Sequence, residues 1–369
     1  MSNWKLFKIG DLCDTISETY KRNDDLVILI NTSDVLDGEV LNHEPVPNKK
    51  LKGQFKKTFK RNDILYSEIR PANKRFAFID FDDTARYIAS TKLMVLRARV
   101  DIVLPQYLFA VLKSQMIIEE LQHLAETRSG TFPQITFLSE LAPMEIMLPD
   151  FTTQHQIVSL LTSIEGKIKI NAAINENLAQ QAQAIYRSMF VSTPYESDRI
   201  GVLSELIAVK YGKDHKKLND GIYPVYGSGG IMRYVEKPIY EKESVLIPRK
   251  GSLNNVMYID EPFWSVDTMF YTEMKIANVA KYVFHFLRSK DLASLNAGSA
   301  VPSMTTDILN SMEVSIPSTE RLADFENLVA PLYRVMKDNV RQSNNLSLLR
   351  DTLLPKLMSG DIDVSEVKI

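Results

Sequence analysis

Two short stretches of the chain carry side chains suited to reading nucleic acid. In the first, Ser67, Arg70, Asn73, Lys74 and Arg75 close and follow the apolar run Asp63-Ile64-Leu65-Tyr66-Ser67, and Arg128, Thr131 and Gln134 belong to a small polar loop further on. In the second, Arg249, Lys250, Ser252, Asn254 and Asn255 follow Ser244-Val245-Leu246-Ile247-Pro248. Tyr226 and Ser228 of a glycine-dense turn and Ser303 of a later loop join that set. A guanidinium can pair bidentately with guanine and a carboxamide with adenine, whereas lysine and serine more often take phosphate. For each of these groups, an ordinary solvated surface side chain is the alternative.

Charge distribution supports the nucleic-acid reading. The net charge is −2, but ten Lys/Arg between Lys49 and Arg75 stand against only Asp63 and Glu68. That segment carries +8, so the rest of the chain sums to −10. A concentrated basic stretch on an acidic protein is a plausible phosphate footprint, and a lysine-rich solvated loop is the other reading. The lysines from Lys49 to Lys60 suit sequence-independent, salt-sensitive affinity.

Catalytic patterns are missing. An amino-methyltransferase needs an Asn/Asp-Pro-Pro-Tyr/Phe type turn to hold a flipped base, and the chain has no Pro-Pro pair. Gly227-Ser228-Gly229-Gly230 is not followed by Lys-Ser/Thr, so it is not a phosphate-binding loop. The single cysteine, Cys13, excludes an intramolecular disulfide, and five scattered histidines form no ligand cluster. The sequence lacks an apolar run of 18 residues and a signal-peptide pattern at Met1-Ser2-Asn3-Trp4-Lys5, and its single cysteine points to a reducing cytoplasm.

The elements that position these groups come as a repeat. From Ile157 to Met189 the positions Leu161, Ile164, Ile168, Asn171, Asn175, Leu178, Ala182, Ile185 and Met189 step by three and four, a heptad seam. Adding 168 gives Val329, Leu332, Met336, Asn339, Ser343, Leu346, Arg350, Leu353 and Leu357. The match begins earlier, with Met144-Glu145-Ile146-Met147-Leu148-Pro149 against Met312-Glu313-Val314-Ser315-Ile316-Pro317. Two copies of one unit follow, and they divide the chain into a globular domain over 1–150, a long helix over 151–192, a second globular domain over 193–317 and a second long helix over 318–369. A 33-residue helix spans roughly 50 Å.

Within the first globular domain the pattern predicts strands at Asp63–Ser67, Phe76–Phe81 and Lys92–Arg97, and a helix over Gln106–Leu124 entered after Pro105. Strand or short-helix starts fall at Trp4–Leu12 and Leu26–Ile30. In the second domain Tyr282–Ser289 parallels Tyr107–Ser114, and Gly298–Thr305 parallels the loop around Pro133.

An antiparallel pairing of the two helices would place facing residues at a constant sum. Centring one helix on the other puts Leu161 opposite Leu353, Ile168 opposite Leu346, Leu178 opposite Met336 and Ile185 opposite Val329. Asn175 then faces Asn339 and Asn171 faces Ser343, a buried polar layer of the kind that fixes register. The other reading is a solvent-facing break in each seam.

The whole chain resembles the specificity subunits of type I restriction–modification systems. The resemblance rests on two variable domains alternating with two repeated helices, on Met144–Pro149 running into Gln154-His155-Gln156-Ile157-Val158, on Tyr223-Pro224-Val225-Tyr226-Gly227-Ser228-Gly229-Gly230, and on Leu353-Leu354-Pro355-Lys356-Leu357-Met358-Ser359-Gly360-Asp361-Ile362. Where the second domain has the Tyr-Pro-Val-Tyr-Gly turn, the first has Leu29-Ile30-Asn31-Thr32-Ser33. The resemblance implies a mixed α/β fold, with two target recognition domains joined by an antiparallel coiled coil in a pseudo-twofold arrangement. Each domain would read one half of a split double-stranded DNA target, and the coiled coil would set the gap. Two modification subunits, which bind S-adenosylmethionine and methylate adenine N6, would dock on it, and restriction subunits would join them. This chain would itself hold no cofactor and catalyse nothing. A methyltransferase with its own recognition domains and a bivalent scaffold without nucleic acid are the competing readings.

Overall fold

A computed structural model of the chain describes residues 4–49, 53–128, 132–192, 198–295, 303–364 and 367. Thr131 lies outside the described residues, as do Lys50 and Lys52 of the basic stretch and 298–302 of the later loop. The chain folds into two compact units, one formed by 1–170 with 341–369, the other by 171–340.

The first unit is built on a central strand buried on both faces. Asp63–Ser67 lies between Leu93–Ala98 and Phe76–Phe78 in an antiparallel sheet whose fourth strand is Cys13–Ile16. Side chains alternate across a strand, so Ile64 and Tyr66 enter a core shared with two helices, Pro105–Leu112 and Gln115–Arg128. Leu65 enters a second core with Val95, Ile30 and Ala89. That second core is closed by a sheet in the order Val46–Pro47, Leu26–Ile30, Tyr87–Ser90, Phe55–Lys57, in which Leu26–Ile30 and Tyr87–Ser90 run parallel. Asp63, fully buried at the start of the central strand, is held by Arg97 through two bonds of 2.7 and 2.8 Å.

The second unit repeats the plan. Its antiparallel sheet runs Ile207–Tyr211, Met269–Met274, Ser244–Pro248, Met257–Ile259. Val245 and Ile247 face one core and Leu246 the other. A parallel pair, Tyr223–Gly227 with Trp264–Ser265, stands where the first unit has Leu26–Ile30 with Tyr87–Ser90. The topology thus makes Leu26–Ile30 the counterpart of the Tyr-Pro-Val-Tyr-Gly strand, although the two share no sequence pattern. Tyr282–Ser289 is helical from Ala280 to Arg288, as Tyr107–Leu112 is in the first unit.

The helix predicted over Gln106–Leu124 is two helices broken at Lys113-Ser114. Ser114 Oγ accepts from Ile117 N at 3.4 Å and starts the second one. The return strand predicted over Phe76–Phe81 is shorter, Phe76–Phe78.

The long helices span Phe151–Phe190 and Thr319–Ser359. Equivalent positions of the repeat start both: Asp150 Oδ1 accepts from Thr153 N at 2.9 Å, and Ser318 Oγ from Arg321 N at 3.3 Å. In the first unit Leu161 and Ile164 are buried, and Leu161 packs in one core with Leu353, Leu354 and Leu357. Ile168 and Leu346 are half-buried, and Arg350, the polar interruption of the seam, lies 4.0 Å from Glu165. In the second unit Ala182 and Ile185 share a core with Val329 and Leu332, while Leu178 and Met336 are half-buried. Partner numbers fall on one helix as they rise on the other, so the pairing is antiparallel in each unit. Asn339 Nδ2 donates to Asn175 Oδ1 at 2.8 Å, and Asn175 Nδ2 to Met336 O at 3.0 Å. Asn171, buried, donates to Asn339 O at 3.4 Å.

Candidate nucleic-acid interface

In both units the central strand delivers its candidate residues to the same kind of place. Beyond Ser67 the first chain segment turns through Arg70, a short 3-10 turn at Pro71–Asn73, and Lys74. Arg70 and Lys74 both adopt left-handed backbone, at φ 46° and 51°, which reverses the chain and leaves Arg70, Asn73 and Lys74 exposed. A bridge between Ile69 and Gln134, with Arg70 N on Pro133 O at 3.1 Å, fastens this turn to the loop carrying the second candidate group. Segments 67–75 and 132–134, distant in sequence, therefore meet.

The fates of the candidate side chains differ. Arg70, Asn73 and Lys74 are exposed, and their side chains have no partner among the described residues. Ser67 is 2% exposed, and its hydroxyl is held by Ile69, accepting from the backbone N at 3.0 Å. Arg75 is half-buried and donates to Ser33 O at 3.1 Å and Val35 O at 3.3 Å. Arg128 pairs with Glu140 at 3.1 Å, and Gln134 donates to Glu68 at 3.0 Å. Arg70, Asn73 and Lys74 are thus the groups in this cluster free to meet a ligand.

In the second unit Lys250 bridges Ser303, and Met304 N donates to Arg249 O at 2.9 Å, the same turn-on-loop junction. Arg249 donates to Asp267 O at 3.3 Å and lies over the Tyr211 ring, 5.3 Å from its centroid. Lys250 and Ser252 are exposed, without side-chain partners among the described residues. Asn254 is committed to Asp291 at 3.0 Å and to Ala293 N at 3.0 Å. Asn255 Nδ2 donates to Ser228 O at 2.7 Å, drawing the glycine-dense tip to the turn. Gly251 adopts φ +86°, and a Cβ there would crowd Ser228 Oγ at 3.2 Å, so glycine lets the tip and the turn approach closely. Tyr226 is 8% exposed and packs edge-on against Phe263; burial raises its phenol pKa, so it stays neutral and internal.

One device recurs with different residues. Arg75 in the first unit and Asn255 in the second each reach from the turn to carbonyls at the tip beyond the parallel strand, Ser33–Val35 and Ser228 respectively. Sequence reasoning did not find Glu68, which orients Gln134, or Tyr211, which carries the Arg249 guanidinium. Both partners lie far away in the chain, and no local pattern marks them.

The basic stretch is not uniform. Lys49, Lys56 and Lys60 are exposed, whereas Lys57 is half-buried, donates to Leu93 O at 2.8 Å and has its pKa lowered by burial. Arg61 is paired with Asp82 at 2.6 Å. Among the described residues no group of three or more His, Cys, Asp or Glu is placed to hold a metal ion, and no helix is long and apolar enough to cross a membrane.

Known proteins share this architecture. The type I restriction modification DNA specificity domain matches residues 1–180 and 194–324. The chain is similar to the type I restriction enzyme HindI specificity subunit of Haemophilus influenzae, 29% identical over 98% of this chain and all of that one. It is 22% identical to the MjaIX specificity subunit of Methanocaldococcus jannaschii over 72% of this chain and 71% of that one. Its fold matches the crystal structure of a type I restriction–modification S subunit from M. genitalium with a TM-score of 0.56, at 20% identity, over 97% of this chain and 96% of that one. With two domain matches covering most of its length, the chain belongs to the type I restriction modification DNA specificity family and is a specificity subunit of a type I restriction–modification system.

Proposed function

We propose that each globular domain, 1–150 and 193–317, is a target recognition domain reading one half of a bipartite double-stranded DNA sequence. The long helices, Phe151–Phe190 and Thr319–Ser359, set the gap and dock two modification subunits. The observation that carries this reading is the repeated turn-on-loop junction. A bridge between the turn after the central strand and the later loop accompanies Arg70, Asn73 and Lys74 in one unit and Arg249, Lys250 and Ser252 in the other. Like junctions with different polar side chains suit two different half-sites.

On this reading the chain binds and orients DNA without catalysing a step. Exposed Lys56 and Lys60 supply phosphate affinity, and the arginine and carboxamide groups supply sequence preference. Methyl transfer from S-adenosylmethionine to adenine N6 belongs to the partner subunits, and restriction subunits complete a cytoplasmic assembly. The test is a genome-wide map of N6-methyladenine in cells expressing the modification subunit with and without this chain. A split motif with two fixed halves, present only with the chain, is expected. A contiguous motif, or methylation independent of the chain, would overturn the proposal.

A further inference from the structure

The second unit carries an exposed apolar strand that the turn-on-loop junction does not explain. Gly230–Val235 is the edge of its three-stranded sheet, and on it Ile231, Met232 and Tyr234 are 50%, 61% and 49% exposed. A bare edge strand with that much apolar surface is a site for association. The only charged side chain facing out between them, Arg233, is tied to Leu218 O at 2.9 Å and to Asp220 at 2.8 Å. The segment that Arg233 reaches supplies Lys216 and Lys217, exposed and in no ion pair among the described residues, together with exposed Asp214 and Asp220.

This strand is continuous with the Arg249 turn. A Cβ at Gly227 would meet Met232 Sδ at 2.6 Å and Val266 Cγ2 at 3.8 Å, so Met232 lies across the glycine beside Val266. Val266 N donates to Tyr226 O at 3.1 Å, and Arg249 reaches the carbonyl of the next residue, Asp267. Met232 and Arg249 thus border the same short segment, and Asn255 fastens the hairpin tip to the turn.

An exposed apolar strand beside a segment that carries two unpaired lysines suits a polyanion that also offers apolar groups. In the major groove of DNA that apolar group is the thymine C5-methyl, flanked by phosphates. We infer that the Gly230–Val235 strand enters the groove of the half-site read by the second unit. Ile231 and Met232 pack on thymine methyls there, and Lys216 and Lys217 lie along the phosphates. This rests on the second unit being a DNA reader.

The test uses the full chain in complex with its modification subunits, on duplexes carrying the mapped target with each thymine in turn replaced by deoxyuridine, which lacks only the methyl. Wild type is expected to lose about fourfold in affinity at one or more thymines of one half-site, the worth of one buried methyl. Ile231→Ala/Met232→Ala should bind thymine and uracil equally at those positions while keeping wild-type ratios in the other half, which also shows that the chain is folded. Met232→Leu should retain the wild-type ratio. Sequence-specific binding with no thymine-to-uracil effect in that half-site, or the wild-type effect persisting in the double variant, would overturn this inference alone. Absence of any sequence-specific binding by wild type would overturn it together with the DNA-reading proposal.

Discussion

Asn339 Nδ2 donates to Asn175 Oδ1 at 2.8 Å between the two long helices, in a seam otherwise lined by Leu178, Ala182, Val329 and Leu332. A polar pair in such a seam lowers stability relative to leucine while excluding other registers. Removing one partner strands the other, so Asn339→Ala should cost about 1 kcal/mol. Asn175→Leu/Asn339→Leu should be more stable than Asn339→Ala. Urea unfolding of the three proteins checks this, and a double variant weaker than the single would contradict it.

The recognition domain of the second unit is fixed to the second long helix by Lys281. This residue is 4% exposed and bonded to Glu326 at 2.7 Å and Glu243 at 3.2 Å, with the rings of Tyr258 and Tyr333 5.0 and 5.6 Å away. Lys281→Ala leaves Glu326 without its partner beside an apolar core and should destabilise by roughly 3 kcal/mol. The same denaturation experiment measures it, and a loss below about 0.5 kcal/mol would place the pair with weak surface bridges.

His285 makes this junction acid-sensitive. Its Nδ1 lies 2.7 Å from Gln183 Oε1 and its Nε2 3.0 Å from the Tyr333 hydroxyl, and burial, followed by Arg288, lowers its pKa from 6.5 to about 4. Between those values the unfolded chain binds a proton that the folded chain does not. The stability contribution of neutral His285 is therefore complete above pH 6.5 and lost as pH falls towards 4, to a total of about 3 kcal/mol. Stability measured across pH 7 to 4 should fall more steeply in wild type than in His285→Gln. Parallel curves would rule out this cause.

Phosphate affinity should be separable from sequence preference. Lys56→Ala/Lys60→Ala is expected to lower the slope of log K against log salt by about 2 on every sequence, leaving the order of preferred sequences unchanged. Binding titrations on the target and on a scrambled duplex decide this. A changed order would make these lysines base readers.

Much of the scaffold was legible in the sequence, and the reason is periodicity. The strand Asp63–Ser67 and the heptad seams each carry a local pattern that packing then honours, and the repeat at an offset of 168 tied the two halves together. The candidate site was legible only as a location. Composition placed Ser67, Arg75 and Arg128 among the exposed polar groups, but each is engaged by a partner. Those of Arg75 and Arg128 are distant in sequence, at Ser33, Val35 and Glu140. The sequence set Leu29-Ile30-Asn31-Thr32-Ser33 against Tyr223–Gly227 without a shared pattern, and the parallel pairing common to both strands supplies the equivalence.

The division of labour between the units is tested most directly by mapping N6-methyladenine in cells expressing the modification subunit with wild type, Arg70→Ala or Arg249→Ala. Each arginine sits at the turn-on-loop junction of a different unit. Each variant is therefore expected to relax one half of the motif by a discrimination of about 1–3 kcal/mol at one or two positions, a different half in each case, with the gap unchanged. Both variants relaxing the same half, or either weakening both halves uniformly, would contradict a chain in which each unit reads its own half-site.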